Sequence, residues 1–219
     1  MFIIDFDDTL FDTQAFKQVR LLAVQVTGVS EEEFWETYRQ ARNSPDGLFT
    51  YSNERHARIL AERGYDEQEV LAALASTTGG GLKDFLFPDA MVFLQRMKAY
   101  GEPMILLSLG NPGFQELKTK GSGVDIFFDR IFMVHDTKAH VLQELFKTVG
   151  GDAVWFINDK VEETKKLCAM FPQLEPLLKI SERYERKEYA ESGFPHFETL
   201  TEIGSYILER RQQSPKEDV

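Results

Sequence analysis

Short apolar runs recur along the chain and predict the buried strands of a parallel sheet. They cover residues 2–4, 104–107, 130–134, 153–157 and 177–180. Each run is too short for a typical helix, and most are apolar nearly throughout, as in strands that are covered on both faces.

Between the later runs, apolar residues recur every three or four positions instead. Segment 87–100 places Phe93 and Met97 on one helical face, and segment 138–149 does the same with Leu142 and Leu145. Strands that alternate with such helices are typical of βαβ units, so the pattern predicts an α/β fold around a parallel sheet.

Residues 14–85 show helical patterns and no convincing strand. Ser30 and Glu33 have the spacing of a capping box at a helix start, and segments 53–63 and 66–76 predict two further helices. We therefore predict a helical domain at 14–85 inserted into a core of residues 1–13 and 86–211, with a polar tail at 212–219.

Composition narrows the class of protein. The 219 residues are 42% hydrophobic and 12% aromatic, which is enough for a sizeable globular core. The net charge of −11 argues against nucleic acid or an anionic membrane as a partner. With Cys168 as its one cysteine and neither a leader pattern nor a long apolar run, the chain is expected in the cytoplasm.

Acidic residues follow the first predicted strand directly. Asp5, Asp7 and Asp8 lie at its carboxyl end, where open α/β sheets place their ligands. Three acids so close together need a cation, and oxygen ligands favour Mg²⁺. Acids at i and i+2 also allow one to attack phosphorus while the other moves a proton. Alternatively, Asp7 or Asp8 simply caps the following helix.

Two later strand ends add a hydroxyl and an amine. Ser108 is followed by Leu109, Gly110 and Asn111, and its hydroxyl with the next N–H groups suits a phosphate oxygen. The alternative there is a plain strand-to-helix turn. Lys138 lies near a predicted helix start, where the helix dipole disfavours a cation. This placement indicates a lysine that reaches into the acidic site. The alternative is a solvated surface lysine.

A fourth strand end supplies another acid. Asn158 and Asp159 close the run at 153–157, and Glu163 follows at a predicted helix start. Asp159 is suited to bind a metal ion or, alternatively, to cap the N-terminus of the following helix. Glu163 is alternatively an acid in the first turn of that helix, where the helix dipole favours it. The four strand ends thus carry, in chain order, a pair of acids, a hydroxyl, a lysine and a further acid. This combination predicts a phosphoryl-transfer site.

These motifs resemble the four ordered motifs of the haloacid dehalogenase-like (HAD) superfamily. The resemblance rests on the segment from Asp5 to Thr13, on Ser108, on Lys138 and on Asn158 with Asp159. It implies a Rossmann-like core with an all-helical C1 cap between the first and second motifs, and Mg²⁺ as the cofactor.

The resemblance also implies a role for each position. Asp5 is the nucleophile that forms an aspartyl-phosphate, and Asp7 is the general acid and base. Ser108 binds the phosphoryl group and Lys138 secures it together with Asp5. The expected metal ligands are Asp5, the carbonyl of Asp7, and Asp159. Further expected positions are Thr9, Leu109, Gly110 and Asn111 for substrate, and Asn158 and Glu163 around the metal.

The acid at Asp7 indicates a phosphatase, because the family's dehalogenases lack it. A sugar phosphomutase or another phosphotransferase is the alternative, although mutases generally have Gly in the Asp8–Thr9 stretch. A catalytically silent binding protein is a further alternative. Asn158 and Glu163 depart from the Gly and Asp that are common in the family.

The expected substrate is a small phosphorylated metabolite, and the expected assembly a monomer or homodimer. Substrate choice is expected in the helical domain, which closes over the phosphate. The candidates for contacting the leaving group, each with a solvated helix face as the alternative, are Arg20, Arg39, Arg42, Tyr51, Arg55 and His56.

Overall fold

A parallel sheet forms the centre of the protein, whose computed structural model describes residues 1–147 and 153–213. Within these ranges the sheet has six strands: Phe2–Ile4 (β1), Met104–Leu109 (β2), Arg130–Val134 (β3), Val154–Asn158 (β4), Leu174–Lys179 (β5) and His196–Phe197 (β6). Their spatial order is β3-β2-β1-β4-β5-β6. This is the predicted α/β architecture with a Rossmann-type sheet, in which β1 pairs with both β2 and β4.

Helices pack around this sheet and fill the segment between its first two strands. Among the described residues the α-helices are Thr13–Gln25 (α1), Glu31–Arg42 (α2), Asn53–Ala61 (α3), Glu67–Ser76 (α4), Ala90–Lys98 (α5), Pro112–Ser122 (α6), Ala139–Phe146 (α7), Val161–Met170 (α8), Arg186–Ala190 (α9) and Leu200–Gln213 (α10). Short 3₁₀ turns lie at Leu82–Phe85 and Asp125–Phe127.

Side chains of the central strands alternate between two apolar cores, one on each face of the sheet. Phe2 and Ile4 of β1 belong to one core, which also receives helices α5 and α10. Ile3 belongs to the other, with Phe156 of β4 and helix residues such as Leu142. Successive strand residues point to opposite faces, which explains why β1 is apolar throughout.

The five predicted strands are confirmed, with shifted ends, and one strand was missed. β5 begins at Leu174 rather than at 177. The earlier start was missed because Pro176 has no backbone N–H to donate to the sheet, so its presence argues against a strand in the sequence. β6 has two residues, too few for an alternating pattern to be visible. Gln212 and Gln213, predicted as part of the polar tail, belong to α10. The rest of the tail lies outside the described residues, and so does the end of the predicted helix 138–149.

The segment from α1 to α4 contains helices and, among the described residues, no strand longer than an isolated bridge. The Ser30–Glu33 capping box is present in both directions. This segment has an apolar cluster of its own, which includes Phe34 and Leu60, whereas Phe16 of α1 packs into the core of the sheet. The exact domain boundaries stay a prediction.

Candidate active site

The carboxyl ends of β1, β2 and β4 meet at one edge of the sheet and bring the predicted site residues together. The N–H group of Asp5 donates to the carbonyl of Ile157 at 2.9 Å, so the end of β1 lies directly beside the end of β4. Ser108 lies near the end of β2, and Asp159 immediately follows β4. All three predicted site residues are buried.

Lys138 joins Asp5 to the β4 side of the site. Its Nζ lies 3.0 Å from Asp5 Oδ1 and 2.8 Å from Glu163 Oε2, and its side chain is fully buried. It also donates to Asn158 Oδ1 at 3.3 Å, while Asn158 Nδ2 donates to Glu163 at 3.0 Å. The surface alternative for Lys138 is therefore wrong. The longer side chain of Glu163 reaches this buried network.

Asp159 is a buried acid without a donor. Neither carboxylate oxygen has a hydrogen-bond partner among the described residues, and the carboxylate of Asp5 has none apart from its ion pair with Lys138. Burial raises the pKa of Asp159 to about 8, Lys160 opposes this, and the charge of Asp5 adds to it. The cap position of α8 is Lys160, so Asp159 does not act as the helix cap that the sequence also allowed.

The charges around Asp159 also shift the pKa values of Lys160 and Glu163. Burial disfavours the charged form of Lys160, but Asp5 and Glu163 outweigh it and hold its pKa above the usual range. Burial raises the pKa of Glu163, but Lys138 and Lys160 outweigh that and lower it to about 2. Both side chains are therefore charged at neutral pH.

Asp7 is held by side chains that the sequence analysis did not identify. Thr13 Oγ1 donates to its Oδ1 at 2.6 Å, Gln115 Nε2 donates to its Oδ2 at 2.6 Å, and Lys118 forms an ion pair with Oδ1. Burial raises the pKa of Asp7, but Lys118 and Gln115 outweigh it and hold the pKa well below its usual range. The sequence contained one signal for two of these partners: Gln115 and Lys118 are three residues apart, a spacing that places both on one face of a helix.

Asp8 has a different environment from Asp7. Its backbone is left-handed, with φ of 57°, a conformation that Asp adopts more readily than most residues. Gln14 and Arg183 donate to its carboxylate, the latter at 3.1 Å, while burial and then Asp7 raise its pKa. Helix α1 is capped by Asp12, so the capping alternative for Asp7 and Asp8 is wrong.

The stretch after Ser108 is placed at the site, with one difference from the expected nest. Ser108 Oγ accepts from Gln115 Nε2 at 3.0 Å. The N–H of Gly110 donates to the carbonyl of Val134 at 2.7 Å and is therefore not available to a phosphate. Asn111 caps α6 through Phe114. Leu109, Gly110 and Asn111 line the cavity described below and stay predicted substrate-binding positions.

Thr9 is fully buried in the loop after β1. Its hydroxyl has no hydrogen-bond partner among the described residues, and it does not line that cavity. A substrate contact for Thr9 stays a prediction.

A cavity separates the helical segment from this edge of the sheet. It holds about 70 Å³ of space for water-sized molecules, and Asp7, Lys118 and Lys160 line its sheet side. Lys17 and Arg42 line its helical side.

The leaving-group candidates divide by burial. Arg20, Tyr51 and His56 are buried, so the solvated alternative is wrong for them. Arg42 and Arg20 line the cavity, as does Tyr51, whereas Arg39 is exposed away from it. Arg55 donates to the carbonyl of Ala41 at 3.1 Å and does not line the cavity.

The donor set fits Mg²⁺ better than a metal that needs a dense side-chain cage. Residues 1–147 and 153–213 contain no group of three or more metal-binding side chains. Asp5 and Asp159 nevertheless provide two buried carboxylates, and among the described residues only the Lys138 ammonium, beside Asp5, lies against either of them. Mg²⁺ typically binds through one or two carboxylates and completes its shell with waters and substrate phosphate.

Solved structures share this fold at low sequence identity. A protein described as a haloacid dehalogenase-like hydrolase from Burkholderia xenovorans LB400 is 20% identical, with a TM-score of 0.73 over 95% of this chain and 96% of that one. The HAD-hydrolase YfnB from Bacillus subtilis, solved bound to magnesium, is 15% identical, with a TM-score of 0.61 over 94% and 97%. L-2-haloacid dehalogenase from Xanthobacter autotrophicus is 17% identical, with a TM-score of 0.61 over 97% and 98%.

Sequence comparison gives the family. No curated protein matches the chain. None of the helices in the described part of the chain has the length and apolar character that crossing a membrane requires. A family model for haloacid dehalogenase-like hydrolases matches residues 1–164, which include Asp5, Ser108, Lys138 and Asp159. The chain therefore belongs to the haloacid dehalogenase-like hydrolases.

Proposed function

We propose that the protein is a Mg²⁺-dependent phosphatase that hydrolyses a small phosphorylated metabolite through an aspartyl-phosphate on Asp5. The observation that carries the proposal is the Asp5 carboxylate, which is buried, lies 3.0 Å from Lys138 Nζ and has no other polar partner among the described residues. A carboxylate in that state is a poorly solvated nucleophile next to a cation that orients it.

Asp5 and Asp159 would hold the metal, with the carbonyl of Asp7 as the expected third protein ligand. Bound Mg²⁺ would neutralise phosphate charge and polarise the phosphoryl oxygens. The magnesium bound to the related fold of YfnB supports this choice of ion.

In the first half-reaction, a carboxylate oxygen of Asp5 forms a bond to phosphorus while the bond from phosphorus to the leaving oxygen breaks. Lys138 holds Asp5 in line, and Ser108 donates its hydroxyl to a phosphoryl oxygen. In the second, water attacks phosphorus, which frees the Asp5 carboxylate and releases phosphate. The proton balance assigns one proton to the leaving oxygen and removes one from the attacking water.

Asp7 is the group at the cavity that exchanges this proton. The Lys118 ammonium forms an ion pair with Asp7 at the cavity. Protonated Asp7 gives its proton to the leaving oxygen in the first half-reaction and takes one from the attacking water in the second. Gln115 and Thr13 fix the orientation of the Asp7 carboxylate during both steps.

Purified protein with phenyl phosphate tests the proposal. We expect phosphate release that requires Mg²⁺, stops with chelator and is lost in Asp5→Asn. Failure to hydrolyse phenyl phosphate and every member of a metabolite panel contradicts the proposal. Activity that survives in D5N contradicts the assignment of Asp5.

The same assay separates the alternatives that the sequence left open. Transfer of phosphate to an added sugar phosphate in preference to water would identify a phosphomutase. A catalytically silent protein would show no thermal stabilisation by aluminium fluoride with Mg²⁺, which mimics the transferring phosphate.

A further inference from the structure

The cavity wall has a charge opposite to that of the whole chain. The chain carries a net charge of −11. Yet Asp7 is the one acid among the described residues that line the cavity, whereas the cations are Lys17, Arg20, Arg42, Lys118, Lys160 and Arg183. Such a concentration of one charge in a concave site attracts ligands of the other sign.

Three of these cations already have partners at the catalytic edge. Lys118 pairs with Asp7, and Arg183 lies 3.1 Å from Asp8. Lys160 is held charged chiefly by Asp5 and Glu163. The positive charge that remains comes from the helical segment, from Lys17, Arg20 and Arg42.

Lys17 and Arg42 have no counter-charge of their own. Within 1–147 and 153–213, neither has a carboxylate within 4.0 Å of its charged nitrogens. The Arg42 guanidinium lies 4.6 Å from the ring centre of Phe49, and Lys17 Nζ donates to Gln14 at 3.4 Å. Burial and Arg183 lower the pKa of Lys17 to about 8, because the nearest acids do not offset them.

Arg20 lies behind these two and is an independent sign of missing negative charge. Its side chain is 1% exposed, yet the guanidinium donates only to neutral oxygens, at 2.5 Å to Tyr51, 2.6 Å to Asn53 and 2.8 Å to Thr77. Its Nε has no partner in the described part of the chain. A buried cation without a counter-charge is costly unless something else supplies one.

We propose that Arg42 and Lys17 form a subsite for a second anion, so that the substrate's leaving group carries a carboxylate or a second phosphate. Arg20 adds positive potential from behind them. The proposal rests on the phosphatase function, because it takes the phosphate end of the substrate to lie at Asp5. Phe16 and Phe114 line the same cavity and suit the carbon skeleton between the two anions.

Binding of matched phosphonates tests the subsite without turnover. Isothermal titration calorimetry with Mg²⁺ would compare 3-phosphonopropionate, which carries a carboxylate, with propylphosphonate, which does not. Propane-1,3-diphosphonate tests a second phosphate. We expect at least one doubly anionic ligand to bind about tenfold or more tightly than propylphosphonate. Which of the two gains more identifies the anion.

Variants assign the preference to residues. Arg42→Gln should remove most of the preference, and Lys17→Met part of it. Arg39→Gln is the matched control, since Arg39 lies on the same helix, is exposed and does not line the cavity. R39Q should keep the full preference.

The outcomes separate this proposal from the phosphatase function. Equal binding of all three phosphonates, or no binding of any, overturns the subsite, even if phenyl phosphate is hydrolysed. A preference that R39Q abolishes as fully as R42Q also overturns it. A preference lost only in R42Q and K17M, in a protein that hydrolyses no phosphate ester, supports the subsite and contradicts the phosphatase.

Discussion

The two walls of the cavity differ in how their charges are balanced. On the sheet side, Lys118 is paired with Asp7, and Arg183 lies 3.1 Å from Asp8. On the helical side, Lys17 and Arg42 have no acid within ion-pair distance among the described residues. Cations on the sheet side therefore have acidic partners, whereas Lys17 and Arg42 on the helical side do not within the part of the chain that the structure describes.

The difference follows from what holds each wall. The acids of the candidate site follow paired strands, where the ladder fixes the backbone. The Asp5 N–H, for example, donates to the carbonyl of Ile157. Sites on such rigid elements are positioned precisely. The helical wall belongs to a segment with its own apolar cluster, so its side chains can differ in charge without disturbing the strand ends.

The largest expected effect is on the sheet side, at Asp5, the proposed nucleophile. Asp5→Asn keeps the shape but removes the charge that attacks phosphorus, so kcat for phenyl phosphate should fall roughly 10⁴-fold or more. Trapping of phosphate on the acid-quenched protein should disappear in parallel. Wild-type-like circular dichroism is the control, and a loss of less than tenfold would contradict the assignment.

Next is the buried lysine that balances two acids. Lys138→Met leaves Asp5 and Glu163 buried without their cation, so the free energy of unfolding in urea should fall by about 3–5 kcal/mol. Lys147→Met removes the exposed pair with Glu144 and is the matched control, with no expected shift of the midpoint. Equal behaviour of K138M and K147M would show that the buried network does not need its lysine.

A smaller effect is expected where the sheet side meets the cavity. Lys118→Met removes the main cause that lowers the pKa of Asp7, while burial still raises it. Asp7 then keeps its proton at higher pH, so the basic limb of kcat/KM, which reports the proton given to the leaving oxygen, should move upward by about one pH unit or more. Lys120→Met, on the same helix but exposed, should leave the profile unchanged. An unmoved limb in K118M would separate Asp7 from the pH dependence.

The smallest effect concerns the helical side. Burial and Arg20 lower the pKa of His56 to about 3, from 6.5 in the unfolded chain. Below pH 6.5 the unfolded state gains a proton that the folded state does not. Stability therefore falls with decreasing pH, by up to about 1.4 kcal/mol per unit.

Urea titrations between pH 6.5 and 5 measure this slope. His56→Asn should reduce it relative to the wild type, whatever its effect on absolute stability. His140→Asn, at an exposed position, is the control and should keep the wild-type slope. An unchanged slope in H56N would assign the pH dependence to other groups.

Much of the fold was visible in the sequence because its signals are local. Five apolar runs identified the five longer strands, and the Ser30–Glu33 spacing identified a helix start. β6 and the beginning of β5 were missed, since two residues carry no period and Pro176 argues against a strand. The order of the strands in space came only from the tertiary structure.

The sequence by itself determined which polar residues follow the strands, and parallel strands carry the residues after them to one edge of the sheet. Asp5, Ser108, Lys138 and Asp159 follow from that rule. Only the tertiary structure decided that Lys118 of α6 forms an ion pair with Asp7, and that Arg20 is buried with no acid as a partner among the described residues. Those contacts depend on how helices far apart in the chain pack, and no local pattern encodes that packing.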